Sequence, residues 1–249
     1  MAMLQGGTAL AAVLAAPLGS YLGGLFGWRI AFFAVVPVGL LGLFWQFLVL
    51  PPIAAERSVK LLDIAALFRD RIVAVGMIAT ALTFMGQFAL ATYIRPYLQE
   101  AVGLEVNAIS LVLLGLGVGG FIGTLIAGPI VRDHLVPTMI GLPLVLAVFA
   151  AVLIAVVDMP LWVGGLFFVW GVFTTPIPIV WGTWMTRVIP ASLEAGGAAQ
   201  VALIQLAIGS SAWVGGSLYD TKGWQSVYIF TIGLFALAAI TSFWARPKG

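Results

Sequence analysis

The side chains best suited to chemistry lie within a stretch that is otherwise apolar. Thr80, Thr83, Gln87, Thr92 and Tyr93 stand between Ile72 and Ile94, and Arg95 follows at once. Thr80, Thr83 and Gln87 step by three and four residues, which on a helix places them on one face. Phe84 and Phe88 flank that face. An amide between aromatic rings suits a planar heterocycle, since each ring that stacks on its face contributes about 1–3 kcal/mol and the amide bonds its edge. A Gln in an apolar helix equally well bonds a neighbouring helix, and that reading stands beside the first. Arg95, directly before Pro96, also has two readings: a gate or polar donor, or a snorkelling side chain that anchors the helix end.

A second group follows Pro176 and Pro178: Trp181, Thr183, Trp184 and Thr186. Two prolines at that spacing remove backbone bonds and permit a bend, so Trp181 and Trp184 are candidates for a moving, solute-facing segment. An interfacial aromatic belt accounts for them as well. Gln200 and Gln205 lie further on, five residues apart, so one of them is expected to face a central cavity; Gln205 is the candidate. Enzymatic signals fail on inspection. The chain has no Cys and one His, His134, which excludes thiolate and multi-histidine metal centres. Gly115-x-Gly117-x-x-Gly120 matches a dinucleotide fingerprint by letters, yet it sits in an apolar run without a preceding strand, and reads as part of a packing ladder of Gly115, Gly119 and Gly123. No catalytic residue, cofactor or metal is expected.

The elements that must position these residues follow from composition. Of 249 residues, 62% are hydrophobic and 8% charged, against about 25% charged in a soluble domain. The mean hydropathy is +1.15. A net charge of +2 leaves no nucleic-acid footprint. A helix needs about 20 apolar residues to cross the hydrocarbon core, and eight such stretches are expected: Thr8–Leu25, Ile30–Leu50, Ile72–Ile94, Ile109–Ile130, Met139–Val157, Leu161–Val180, Gly196–Leu218 and Ser226–Trp244. Their apolar residues run on without alternating, which argues against a β-barrel. The fold class is therefore all-α and polytopic.

Loop charges set the sidedness. Alternate loops collect Arg57, Lys60, Arg69, Arg71, Arg132, Arg187, Arg246 and Lys248 on one side, against Arg29 and Lys222 on the other, with Arg95 at its edge. The positive-inside rule makes the first side cytoplasmic, the C-terminus included.

The ends of the chain resemble each other. Gly23-Gly24 recurs as Gly215-Gly216, and Gly27-Trp28 as Gly223-Trp224, each followed by an aromatic-rich helix. Related halves are common in secondary transporters, although Gly-rich helices also agree by chance. The string Pro17-Leu18-Gly19-Ser20-Tyr21-Leu22-Gly23-Gly24, then Gly27-Trp28-Arg29, resembles the antiporter signature in the fifth helix of the major facilitator superfamily, drug–proton antiporter branch. Phe84-Met85-Gly86-Gln87-Phe88-Ala89, Thr92-Tyr93-Ile94-Arg95-Pro96, Trp181-Gly182-Thr183-Trp184-Met185-Thr186-Arg187 and Gln200-Val201-Ala202-Leu203-Ile204-Gln205-Leu206 are similar to the bacterial purine ribonucleoside efflux transporters. Arabinose-type and drug exporters share parts of these strings.

The resemblance implies helices five to twelve of a twelve-helix fold: residues 1–50 as the last two helices of the first bundle, 51–71 as a cytoplasmic linker, and 72–249 as the six-helix second bundle. It implies export of purine ribonucleosides by proton antiport across a bacterial inner membrane, with Gln87, Phe84, Tyr93, Arg95, Trp181, Trp184 and Gln205 touching the solute. The partners implied are the solute, protons, the lipid bilayer, and either the first four helices or a second copy. Gly128-Pro129-Ile130-Val131-Arg132-Asp133 resembles a degenerate loop motif, with base and acid in reversed order. None of the nine acids lies mid-span, so the coupling group is expected outside this chain; a truncated reading frame is the expected cause. Because the chain has no native Cys, sidedness is directly measurable: Lys60→Cys and Lys248→Cys should both be labelled by an impermeant maleimide from the cytoplasmic face, and labelling from opposite faces would refute the topology.

Overall fold

The computed structural model describes residues 26–50 and 61–247 without a break, together with positions 11, 15, 18, 19, 22 and 23. The first expected span, Thr8–Leu25, is described only at those scattered positions; residues 51–60 of the linker and Lys248 lie outside the described residues. Among the described residues there are helices and turns and no strand. The longer helices are α1 (Trp28–Phe33), α2 (Val35–Val49), α3 (Leu61–Leu67), α4 (Arg71–Thr92), α5 (Val106–Asp133), α6 (Leu135–Ala155), α7 (Pro160–Thr174), α8 (Ile177–Val188), α9 (Leu193–Lys222) and α10 (Trp224–Trp244), with short helical segments at Ile94–Pro96, Tyr97–Ala101 and Pro190–Ser192.

Seven described stretches are long and apolar enough to cross a membrane, with α1–α2 and α7–α8 each counting as one. They fall on the second to eighth expected spans. The helices overrun the apolar runs: α5 continues to Asp133 and α9 spans Leu193–Lys222. Hydropathy marks only the hydrocarbon layer, whereas backbone bonding carries a helix on into the polar boundary. At the sixth span the helix breaks between Thr174 and Ile177. Pro176 and Pro178 have no N–H to offer the preceding turn, and Ile179 N instead bonds Pro176 O at 2.9 Å.

α4 packs against α9 and α10, α10 also against α6, and α5 against α7. The α5–α7 seam is made by missing side chains. A Cβ on Gly119 would lie 2.1 Å from Phe168 O, one on Gly123 2.1 Å from Val172 O, and one on Gly171 2.1 Å from Leu116 O. Such small residues let membrane helices approach to backbone contact, where dispersion replaces the hydrophobic effect. Gly115, expected in the same ladder, meets nothing within 4 Å; the seam turns away from it towards Gly120, where a Cβ would stand 2.4 Å from Thr175 Oγ1.

The repeated Gly-Trp turns share one backbone conformation: Gly27 has φ 84° and ψ 159°, and Gly223 φ 76° and ψ 178°. Each sits in the region open only to glycine at no steric cost and starts the helix that follows. α1 and α2 differ from the bundle in burial, for neither helix contains a buried residue.

Gly171→Leu tests the seam. Overpacking usually costs about 1–3 kcal/mol, and more where the obstacle is backbone. The variant is expected to melt well below the wild type in detergent-based thermal denaturation, whereas Gly165→Leu, at a position open for 4 Å, is expected to melt near it.

Candidate functional site

α4 begins with Asp70, whose Oδ1 accepts from Ile72 N at 2.7 Å and Val73 N at 3.4 Å, so the first free N–H groups of the helix are capped. Gly76 sits one turn on, and a Cβ there would fall 1.8 Å from Trp184 Cζ2. Thr80 and Thr83 are fully buried, and their hydroxyls donate to Gly76 O at 2.8 Å and Ala79 O at 2.7 Å. Both hydroxyls are turned back on their own helix. Gln87, on the same face, is different: its Oε1 is buried and accepts no hydrogen bond. Phe84 beside it is buried and Phe88 half-buried.

Trp181 and Trp184 are 2% and 0% exposed and meet edge to face at 5.7 Å. These two are therefore not an interfacial belt. Trp184 Nε1 donates to Ala245 O at 2.8 Å, and Gln200 Nε2 to Trp181 O at 3.3 Å. Trp184 thus bears on α4 through Gly76 and on the end of α10 through Ala245, while Gln200 ties α9 to α8. Of the two glutamines, Gln200 is buried and Gln205 exposed. The sequence offered the pair without ranking them by contact; the neighbours Ala199 and Gly196, both buried small residues, mark the inward face on which Gln200 lies.

At the opposite end, Tyr93 stacks on Tyr219 with ring centroids 5.3 Å apart, and its hydroxyl donates to Ala212 O at 2.9 Å. The pair Gly215-Gly216 makes room for it, since a Cβ on Gly215 would come within 2.7 Å of Tyr93 Cε2. Tyr219 in turn donates to Glu100 through a short hydrogen bond. Tyr97 packs on Tyr228 at 4.7 Å and Trp224 at 5.1 Å and donates to Leu153 O at 2.7 Å; burial pushes its hydroxyl above the ordinary tyrosine range. Sequence reasoning found Tyr93 but missed this cluster. Its traces were the Gly215-Gly216 pair and Gly223-Trp224 with the aromatic-rich helix that follows, read as a repeat and not as a seat for a ring.

These contacts fasten α4 to α9 at the Arg95 end. Towards the other end Val73 and Met77 pack on Ala199 of α9, and an apolar groove of about 450 Å³ runs along the two helices, lined by Met77, Met85, Leu203, Leu206 and Ser210 among others. The structure thus brings Trp181 and Trp184 together, keeps Phe84 and Gln87 on the buried side of α4, commits Tyr93 to a clamp, and leaves Arg95 and Gln205 exposed. At the Arg71 end, Arg132 and Asp133 form an exposed ion pair at 3.6 Å, and Arg187 donates to Arg132 O. The reversed base–acid pair therefore sits at a helix end capped from α8. Among the described residues no group of three or more His, Cys, Asp or Glu is placed to hold a metal.

Gly76→Ala is expected to destabilise the protein, because the Trp184 ring must move to admit the methyl group. Trp184→Phe alone should cost about 0.5–1.5 kcal/mol through the lost bond to Ala245, plus some packing. Combined, the two should cost less than their sum, with a coupling of about 0.5–3 kcal/mol, measured by a double-mutant cycle on denaturant unfolding in micelles.

Comparison with known proteins agrees with this architecture. The chain is 40% identical over its whole length to the transcription regulatory protein OpdE of Pseudomonas aeruginosa, covering 63% of that protein. It is 38% identical over 96% of its length to the purine ribonucleoside efflux pump NepI of Shigella sonnei, and 37% identical to that of Escherichia coli, covering 61% of each. It therefore spans about three fifths of the length of these relatives. The family model that matches residues 1–212 is that of the Major Facilitator Superfamily, and the chain, with seven described stretches long and apolar enough to cross a membrane, belongs to that transporter family.

Proposed function

We propose that the chain acts in the efflux of purine ribonucleosides, as part of an alternating-access transporter driven by proton antiport. The observation that carries this reading is Gln87. A buried carbonyl oxygen without a donor costs about 1–3 kcal/mol; of the four buried side-chain atoms without a partner among the described residues, on Gln87, Tyr228, Thr231 and Ser242, that of Gln87 is the one that can only accept. A ligand that brings an N–H to Oε1 recovers that energy, and a purine carries such donors on its edge while offering a face to Phe84 and Phe88. The likeness to pumps named for purine ribonucleosides supports the same substrate class.

The geometry also supports a division of labour. The tyrosine clamp closes α4 on α9 at the Arg95 end, while the apolar groove runs along the rest of the two helices from Phe68 to Met85. A rocking bundle needs such an asymmetry, one end sealed while the other admits solute. Trp181 and Trp184, just beyond the proline break, couple α8 to α4 and α10 and so transmit a bend of that segment. Tyr93 contributes by holding the seal, while Arg95 and Gln205 stay exposed in the state described. The rest of the first bundle is supplied by further helices or by another copy of the chain. The cationic ends of the helices, at Arg71, Arg132, Arg187 and Arg246, face the cytoplasm of a bacterial cell in this reading.

Efflux of radiolabelled inosine and guanosine from cells expressing the protein tests the proposal. Wild type is expected to lower the retained nucleoside, and Gln87→Ala to reduce that efflux about tenfold, the equivalent of one lost hydrogen bond to a buried group. Equal retention in cells with and without the wild-type protein overturns the substrate class. The name of the Pseudomonas aeruginosa relative motivates a second readout: a change in transcription that persists in a Gln87→Ala variant without efflux would favour a regulatory role instead.

A further inference from the structure

Arg95 is exposed, and no carboxylate, carbonyl or ring among the described residues engages its guanidinium. It stands three residues past the end of α4, at the level where hydrocarbon gives way to the polar boundary. It overlooks a groove of about 600 Å³ lined by Gly19, Gly23, Trp28, Phe32, Val35 and Val106. A second hollow of about 320 Å³ shares Gly19, Arg95 and Val106 and adds Ser110.

The shape of this groove is that of an amphiphile. Its polar end is Arg95, with Trp28 beside it and the Arg29 guanidinium 4.6 Å over the Trp28 ring. From there it descends along the apolar residues: Val35 lies about 10 Å deeper than Trp28 at 1.5 Å per residue. Among the described residues nothing lies within 4 Å of where a Cβ on Gly19 or Gly23 would be. A small water-soluble anion would satisfy the arginine but leave the apolar depth empty. A zwitterionic headgroup would set its own cation beside Arg29. Glu100 and Glu105, in the segment that follows Arg95, form no ion pair with it.

We propose that this groove binds one anionic phospholipid, its phosphate on the Arg95 guanidinium and an acyl chain along Gly23, Phe32 and Val35. The arginine donates in a fork that matches phosphate oxygens. A groove of about 600 Å³ beside Arg95 is what distinguishes this site from an arginine that merely reaches the boundary. The inference does not depend on what the protein transports.

Native mass spectrometry of the purified 249-residue chain, equilibrated with phosphatidylglycerol, phosphatidylcholine or inorganic phosphate, tests it. One phosphatidylglycerol is expected to remain bound, with a preference over phosphatidylcholine of about fivefold for each arginine engaged. Arg95→Gln should remove most of that preference. Gly23→Leu, which fills the slot and leaves the cation, should lower retention of phosphatidylglycerol to a similar extent. Both substitutions fall where nothing packs among the described residues, and an unchanged elution volume checks that the fold survives. Equal retention of the two lipids, retention unaltered in both variants, or displacement by inorganic phosphate at equal concentration would each overturn the proposal.

Discussion

No water reaches the hydrocarbon layer, so every peptide group there must find its partner within the chain. This constraint shapes everything else in the molecule. It makes the helix the only spanning element, carries α5 and α9 well past their apolar runs, and turns buried Thr80, Thr83 and Thr174 onto carbonyls of their own helices. It also makes the exceptions informative. Where Pro176 and Pro178 interrupt the ladder the helix divides, and where Gln87 keeps an oxygen without a donor the protein holds a local deficit that a ligand can remove.

Helices that have satisfied their own backbones do not gain by leaving lipid for one another through the hydrophobic effect, so their packing rests on close approach. Two devices provide it. The α5–α7 seam uses Gly119, Gly123 and Gly171 to bring backbones into direct contact. Elsewhere a glycine on one helix receives an aromatic ring from another: Gly76 receives Trp184, and Gly215 receives Tyr93. In both cases the ring also reaches a carbonyl, of Ala245 and Ala212 respectively. The polar handle of an aromatic side chain thus fixes the depth at which the ring can sit, and the two ends of the bundle are tied in the same manner.

The tyrosine tie at the Arg95 end and the apolar cluster of Val73, Met77 and Ala199 at the other hold the two ends of α4 and α9 by unlike contacts. That asymmetry belongs to the transport reading, while the open face of α1 and α2 and the groove beneath Arg95 concern the surroundings of the bundle. Separating the two matters, because Arg95 reads from sequence as one more polar residue beside Gln87 and Tyr93. Eight residues separate Gln87 from Arg95, and over that distance the chain passes from the bundle interior to an exposed boundary.

The sequence by itself determined the helical fold and the order of the described spans, because apolar length and the scarcity of charge leave lipid no alternative structure; the superfamily was legible only in motif strings such as Pro17–Gly24 and Trp181–Arg187. Its Gly-Trp repeat also pointed correctly to two matching turns, since a positive φ demands glycine wherever it occurs. Only the tertiary structure decided which partner each polar or aromatic group finds. Gln200 and Gln205 differ by five residues, yet one is buried against Trp181 and the other exposed. Trp181 and Trp184 suited a membrane interface and a core equally well until α4 offered Gly76 opposite them. Helical period tells which residues share a face, but which helix that face meets is set by contacts between residues far apart in the chain.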